Sequence, residues 1–284
     1  MRFVFPALCA AMLLWAAPGV ARADSAAIPP GARYVAMGSS YAAGPNIGAS
    51  ADTPPTRCAR SLVNYAHVLA AVRRLDLVDV SCSGATTQHI LGPWDSLPPQ
   101  IDAVTADTRL VTVTIGGNDL GYMTAIGVMR CPGLAAAERQ RWFGGTCPPA
   151  RVISAADKAA LAERMARIIA QVRARAPAAR IVLVQYFALM PASGNCPATG
   201  LSDGQVAQIR AIGRDLARLT AQVARASAAE VVPLDRISAP HALCSAQPWM
   251  NGGNPDLAAH DGAPYHPNAL GMAGAARAIG DIVR

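Results

Sequence analysis

The sequence predicts an α/β domain in which helices cover a parallel sheet, and three observations predict it. Short runs rich in β-branched residues alternate along the chain with long stretches of helical periodicity, the order that parallel strands need for their crossover connections. Several of those runs are apolar throughout, as strands buried on both faces are. Polar, glycine-bearing turns follow the early strands, at the edge where open parallel sheets place their ligands.

Taken in order, the elements begin after an N-terminal segment that lies outside the fold. Arg2 supplies a positive start, Phe3 to Val20 an apolar run and Ala21-Arg22-Ala23 a small-residue cleavage signature, so residues 1–23 read as a signal peptide removed after Ala23. A retained membrane anchor is the rival reading, which Pro6, Pro18 and the cleavage signature oppose. Strands are expected at Tyr34 to Met37, Leu77 to Val80, Leu110 to Ile115, Ile181 to Gln185 and Val231 to Leu234. Helices are expected at Leu62 to Arg73, Ala155 to Ala176, Asp203 to Ala226 and Asn268 to Val283. Ser154 and Asp157 resemble a capping box at the start of the second helix, and Pro177 ends it. Irregular segments at 41–61, 83–100, 118–153 and 187–202 join these elements, long enough to be functional or stapled. No repeat or linker divides the remainder, so residues 24–284 read as one domain.

Composition excludes several classes. With 52% hydrophobic and 15% charged residues the chain is not a disordered polymer. Its net charge of +7 does not make it a nucleic-acid binder, because the basic residues are all arginine except Lys158 and are scattered singly rather than gathered with aromatics. Without residues 1–23, which hold Arg2, Arg22 and Cys9, the chain has 261 residues, a net charge of +5 and six cysteines. An even number in an exported chain suggests disulfides, whose pairing composition leaves open. The competing zinc reading lacks the short cysteine spacing such sites use, and no cluster has metal-ligand spacing, so no metal or cofactor is expected.

Four blocks carry candidate chemistry. Gly38-Ser39-Ser40-Tyr41-Ala42-Ala43-Gly44 follows the first strand, a sharp turn that would present a hydroxyl at the sheet edge. Ser81-Cys82-Ser83-Gly84-Ala85-Thr86-Thr87 follows the second strand and Gly116-Gly117-Asn118-Asp119 the third. Pro264-Tyr265-His266-Pro267-Asn268 stands just before the last helix. Singly, each has a plainer explanation as a turn, a cap or a surface residue. Order and placement together do not, since the first three fall at the ends of three successive expected strands.

In these blocks the chain resembles the SGNH hydrolases, also called GDSL esterases and lipases, and among them the secreted branch. The resemblance covers essentially all of residues 24–284. It implies a three-layer flavodoxin-like α/β fold with a central parallel sheet of about five strands flanked by helices. It implies a serine esterase that hydrolyses carboxylic esters through an acyl-serine intermediate. Alternatives are a lipase or phospholipase on lipid acyl esters, with Leu91, Trp94, Leu97, Met123 and Trp142 as candidate groove residues, and a noncatalytic carbohydrate-binding module on the same scaffold. The expected ligand is a small-molecule or lipid ester, with no nucleic acid, no stable membrane span, a monomeric chain, and a secreted or periplasmic location.

The resemblance makes Ser40 the nucleophile and His266 its base. A serine hydroxyl needs a base within hydrogen-bond reach, and an imidazole of ordinary pKa about 6.5 suits the task. It assigns the oxyanion hole to the backbone N–H of Ser40, the backbone N–H of Gly84 and the side-chain amide of Asn118. Six cysteines fit the three disulfides of the secreted branch, which implies Cys58 with Cys82, Cys131 with Cys147 and Cys196 with Cys244. Two departures stand out. Ser39 replaces the aspartate that most of the family carries before its nucleophile. The usual triad aspartate three residues before the histidine is Ala263 here. The imidazole is then oriented either by a backbone carbonyl, from Ala263 or Pro264, giving a Ser-His dyad, or by Asp261. His260 is a further candidate to line the cleft.

Overall fold

The computed structural model of the chain describes Met1 and residues 27–284; the expected signal peptide and its cleavage site lie outside the described residues. Five parallel strands carry the fold: β1 Arg33–Gly38, β2 Asp76–Asp79, β3 Thr108–Thr114, β4 Arg180–Val184 and β5 Glu230–Val232. Their order across the sheet is β2-β1-β3-β4-β5. Tyr34, Val35, Ala36 and Met37 of β1 are fully enclosed, as the unbroken apolar run requires of a strand covered on both faces. Polar side chains in the sheet satisfy one another: the Tyr34 hydroxyl bonds Thr112 Oγ1 at 2.8 Å.

Nine helices accompany the sheet among the described residues: α1 Ser40–Ala43, α2 Tyr65–Arg73, α3 Thr87–Leu91, α4 Tyr122–Arg130, α5 Ala136–Phe143, α6 Ala155–Arg175, α7 Asp203–Ala226, α8 Leu234–Ile237 and α9 Ala269–Ile282. Helix α2 packs against α9, while α6 packs against α3 and α7. This gives the three-layer architecture of helices, sheet and helices. In the strand order 2-1-3-4-5 the chain direction of the crossovers reverses between β1 and β3, which opens a crevice beyond their carboxyl ends.

Several boundaries differ from the sequence reading. Helix α2 starts at Tyr65 rather than Leu62, because the Asn64 side chain caps it by accepting the N–H groups of Ala66 and His67. The segments read as irregular contain α3, α4 and α5. Helix α4 carries Gly127 in its interior, which weakens its helical signal in sequence, and it packs on α7. Helix α5 buries none of its residues and so carries no apolar periodicity to read. Three disulfides staple the loops: Cys58–Cys82, Cys131–Cys147 and Cys196–Cys244. Among the described residues no helix is long and apolar enough to cross a membrane.

Candidate active site

The site is built from the ends of β1 and β3 outward. Gly38 closes β1 with φ +149°, and a Cβ there would sit 2.5 Å from the Thr114 carbonyl oxygen, so only glycine lets the two strands finish this close together. The buried Gln100 side chain clamps the same peptide, its Oε1 accepting the Gly38 N–H at 2.8 Å and its Nε2 donating to the Gly38 carbonyl at 3.0 Å. Ser39 N–H donates to the Thr114 carbonyl, and the chain enters the single turn of α1 at Ser40. The Ser40 side chain is thereby held at the sheet edge, in a residue only 7% exposed.

His266 reaches this serine from the far end of the chain. Its Nε2 lies 2.8 Å from Ser40 Oγ and its Nδ1 lies 2.7 Å from the Pro264 carbonyl oxygen. Nδ1 must carry the proton to donate to that carbonyl, which leaves the Nε2 lone pair facing the serine hydroxyl. Burial pushes the imidazole pKa below its ordinary value, opposed only in part by the Pro264 bond. The ring lies 5.2 Å, centroid to centroid, from that of Tyr41, whose hydroxyl donates to the Tyr265 carbonyl at 2.7 Å. Tyr265 itself holds φ +58°, an uncommon conformation for a large side chain, kept by that bond and by its own hydroxyl on the Thr199 carbonyl at 2.7 Å.

The other candidates for orienting the imidazole are occupied elsewhere. The Ala263 carbonyl accepts the backbone N–H of His266 at 3.2 Å, not the ring. Asp261 turns away: its carboxylate accepts the Ala269 N–H at 2.9 Å, at the start of α9. His260 is exposed and its Nδ1 meets Asn46 Oδ1 at 3.2 Å, which places it beside the turn rather than against Ser40.

Gly84 and Asn118 come in from the ends of β2 and β3. Gly84 has φ +88°, and a Cβ there would press on the Trp94 ring at 3.1 Å. That ring is itself sandwiched between the Arg57 guanidinium and the His89 imidazole. Among the described residues the backbone N–H groups of Ser40 and Gly84 find no acceptor in the protein. Asn118 Nδ2 donates one proton to the Ala85 carbonyl at 2.9 Å, which fixes the amide and leaves its second proton free. Beneath it the nearly enclosed Asp119 carboxylate bonds the Thr87 N–H and hydroxyl and pairs with Arg164. This ties the Gly84 and Asn118 loops together.

Of the candidate groove residues, Leu91, Trp94, Leu97 and Met123 are partly buried against the core, and Trp142 stands 66% exposed on α5. Sequence reasoning missed the supports Gln100, Tyr41 and Tyr186, the last of which meets Ser39 Oγ with its hydroxyl. Tyr41 stands inside the first block and was assigned no task, and the other two lie in segments that carry no motif.

A chain of this fold with these groups at its strand ends belongs among the hydrolases of esters. Residues 36–273 match the GDSL-like lipase/acylhydrolase family, and the chain belongs to that family. It is a carboxylic ester hydrolase. Its relatives include Lipase 2 of Streptomyces coelicolor, 33% identical over 258 residues that span 88% of this chain and 85% of that one. The crystal structure of the extracellular lipase of Streptomyces rimosus aligns with a TM-score of 0.69 and 27% identity, covering 88% of this chain and 98% of that one. Phospholipase A1 of Streptomyces albidoflavus NA297 aligns with a TM-score of 0.70 and 25% identity, over 88% of this chain and 99% of that one.

Proposed function

We propose that the protein cleaves carboxylic esters through an acyl-Ser40 intermediate, with His266 as the base and the Pro264 carbonyl as the group that orients it. The observation that carries this reading is the unbroken line from Ser40 Oγ through the imidazole to the Pro264 oxygen, with contacts of 2.8 and 2.7 Å. His266 Nε2 takes the Ser40 proton as Oγ attacks the ester carbonyl. The oxyanion that forms accepts hydrogen bonds from the N–H groups of Ser40 and Gly84 and from the free amide proton of Asn118. Nε2 then passes its proton to the departing alcohol. Water repeats the sequence on the acyl-serine, releasing the acid and restoring Ser40. A neutral carbonyl in place of an aspartate orients the ring without adding a buried charge, which suits an imidazole already kept neutral by burial.

Lipid acyl esters are the substrate class we favour. The relatives named as lipases and a phospholipase A1 support that choice. A monomer exported by the segment 1–23 and stapled by its three disulfides completes the proposal. Two assays test it. A fluorophosphonate should label Ser40, as located by peptide mass spectrometry, and p-nitrophenyl palmitate should be hydrolysed alongside p-nitrophenyl butyrate. Labelling at another serine would overturn the choice of Ser40 as nucleophile, and no labelling at all would overturn the acyl-serine mechanism in favour of a noncatalytic carbohydrate-binding module. Butyrate turnover without palmitate turnover would overturn the lipid assignment alone.

A further inference from the structure

Ser39 stands where most of the family has an aspartate, and its hydroxyl is fully buried with one partner, the Tyr186 hydroxyl at 2.7 Å. Tyr186 follows β4, two strands away from β1, and strands two apart lie roughly 10 Å from each other. The phenol and the Ser39 side chain, meeting through their hydrogen bond, together cross that gap above the end of β3. On the way the phenol oxygen accepts the Gly117 N–H at 3.1 Å, so its own proton is available to Ser39 Oγ. The approach is possible because residue 117 is glycine: a Cβ there would lie 2.6–2.7 Å from atoms of the Tyr186 ring. The same ring packs at 4.5 Å, centroid to centroid, on Tyr41. Burial raises the phenol pKa to about 12, so the group is a neutral donor at any working pH.

We infer that Tyr186 is a positioning residue that sets the Ser40 turn against the Asn118 loop, with Ser39 as its acceptor in place of the family's aspartate. Ser39 precedes Ser40, and Gly117 precedes Asn118. One phenol therefore holds both peptides whose next residues supply the attacking oxygen and an oxyanion donor. A neutral serine and tyrosine do this without a charge in an enclosed place where a carboxylate would need compensation. The inference rests on reading Asn118 as an oxyanion donor.

Tyr186→Phe keeps the ring and removes only the hydroxyl. It should lower kcat on p-nitrophenyl butyrate about tenfold with KM within twofold of the parent, the loss expected when one buried hydrogen bond holds a transition-state geometry. Ser39→Ala should do the same, and the two together should cost no more than either alone. In an Asn118→Ala background Tyr186→Phe should cost less than twofold, because the donor it positions is gone. A melting-temperature drop alone, with kcat within twofold of the parent in both single variants, would overturn the inference. So would additive losses in the Ser39/Tyr186 pair, or an undiminished tenfold loss in the Asn118→Ala background. Should Asn118→Ala leave kcat unchanged, the oxyanion assignment fails, and the Ser39/Tyr186 pair still reports on the bridge between the two loops.

Discussion

The two halves of the site are held by different means. Ser40, Gly84 and Asn118 stand on the carboxyl ends of β1, β2 and β3, three adjacent strands whose register sets their spacing. His266 stands on no regular element: its segment runs antiparallel to residues 249–251, with the His266 carbonyl accepting the Asn251 N–H and the Asn268 N–H donating to the Trp249 carbonyl. Besides the backbone bond from the Tyr265 N–H to the Gly252 carbonyl, its supports include two single hydroxyls, Tyr41 on the Tyr265 carbonyl and Tyr265 on the Thr199 carbonyl. A disulfide steadies each half, Cys58–Cys82 beside the Gly84 loop and Cys196–Cys244 between the segments that carry Thr199 and Trp249. Main-chain ladders set the spacing of the first half, and the Tyr186 hydroxyl adds one side-chain tie between its Ser39 and Gly117 turns. The second half has only the short 249–251 pairing in place of a sheet, so more of its geometry depends on individual hydroxyls.

The largest effect should come where the halves meet. Ser40→Ala should lower kcat by roughly 10⁴- to 10⁶-fold, and adding His266→Ala should cost little more, because the proposed mechanism makes the two one unit. Additive losses would separate them. Within the strand-held half, Asn118→Ala should cost roughly 10²- to 10³-fold in kcat, the usual worth of one oxyanion donor. A loss below tenfold would remove the asparagine from the chemistry.

The pH profile examines the histidine half directly. In the proposed mechanism the neutral imidazole is the active form, so kcat/KM should fall about tenfold per pH unit on the acid side of the His266 pKa and level off above it. Since burial depresses that pKa, the midpoint should lie below the ordinary 6.5. A midpoint above 6.5 would mean that a carboxylate supports the ring after all.

Tyr41→Phe removes one support of the histidine segment and leaves the Tyr265 carbonyl without its donor. It should lower kcat about tenfold while leaving KM near the parent's; a loss within twofold would show that the 249–251 pairing holds the histidine without it. Asp261→Asn should have the smallest effect, less than threefold on kcat and about 1 kcal/mol on stability in chemical denaturation, because its carboxylate meets the first turn of α9 rather than the ring. A loss near 10⁴-fold would instead make Asp261 a triad acid.

The difference between the halves also explains what could be read beforehand. Strand runs such as Val111 to Val113 and Ile181 to Val184 announce themselves by composition, and the turns after them carry glycines because strand ends converge there. Gly38 and Gly117 are legible for that reason, although what crowds each of them is not. The partners of Tyr41 and Tyr186 are 224 and 147 residues away along the chain, and no local pattern signals a hydroxyl whose acceptor is so distant. The choice among Ala263, Pro264 and Asp261 was open for a related reason. All three lie within a few residues of His266, and the turn at Gly262, with φ +109°, decides which of them points back.

The sequence by itself determined the five strands, the helices α2, α6, α7 and α9, the family and the four blocks, because periodicity and turn chemistry are local and repeat along the chain. Only the tertiary structure decided which atom faces His266 Nδ1 and which phenol bridges Ser39 to Gly117. Those contacts join segments far apart in the chain, and they exist only after the β1–β3–β4 register and the 249–268 pairing have brought the segments within hydrogen-bond reach.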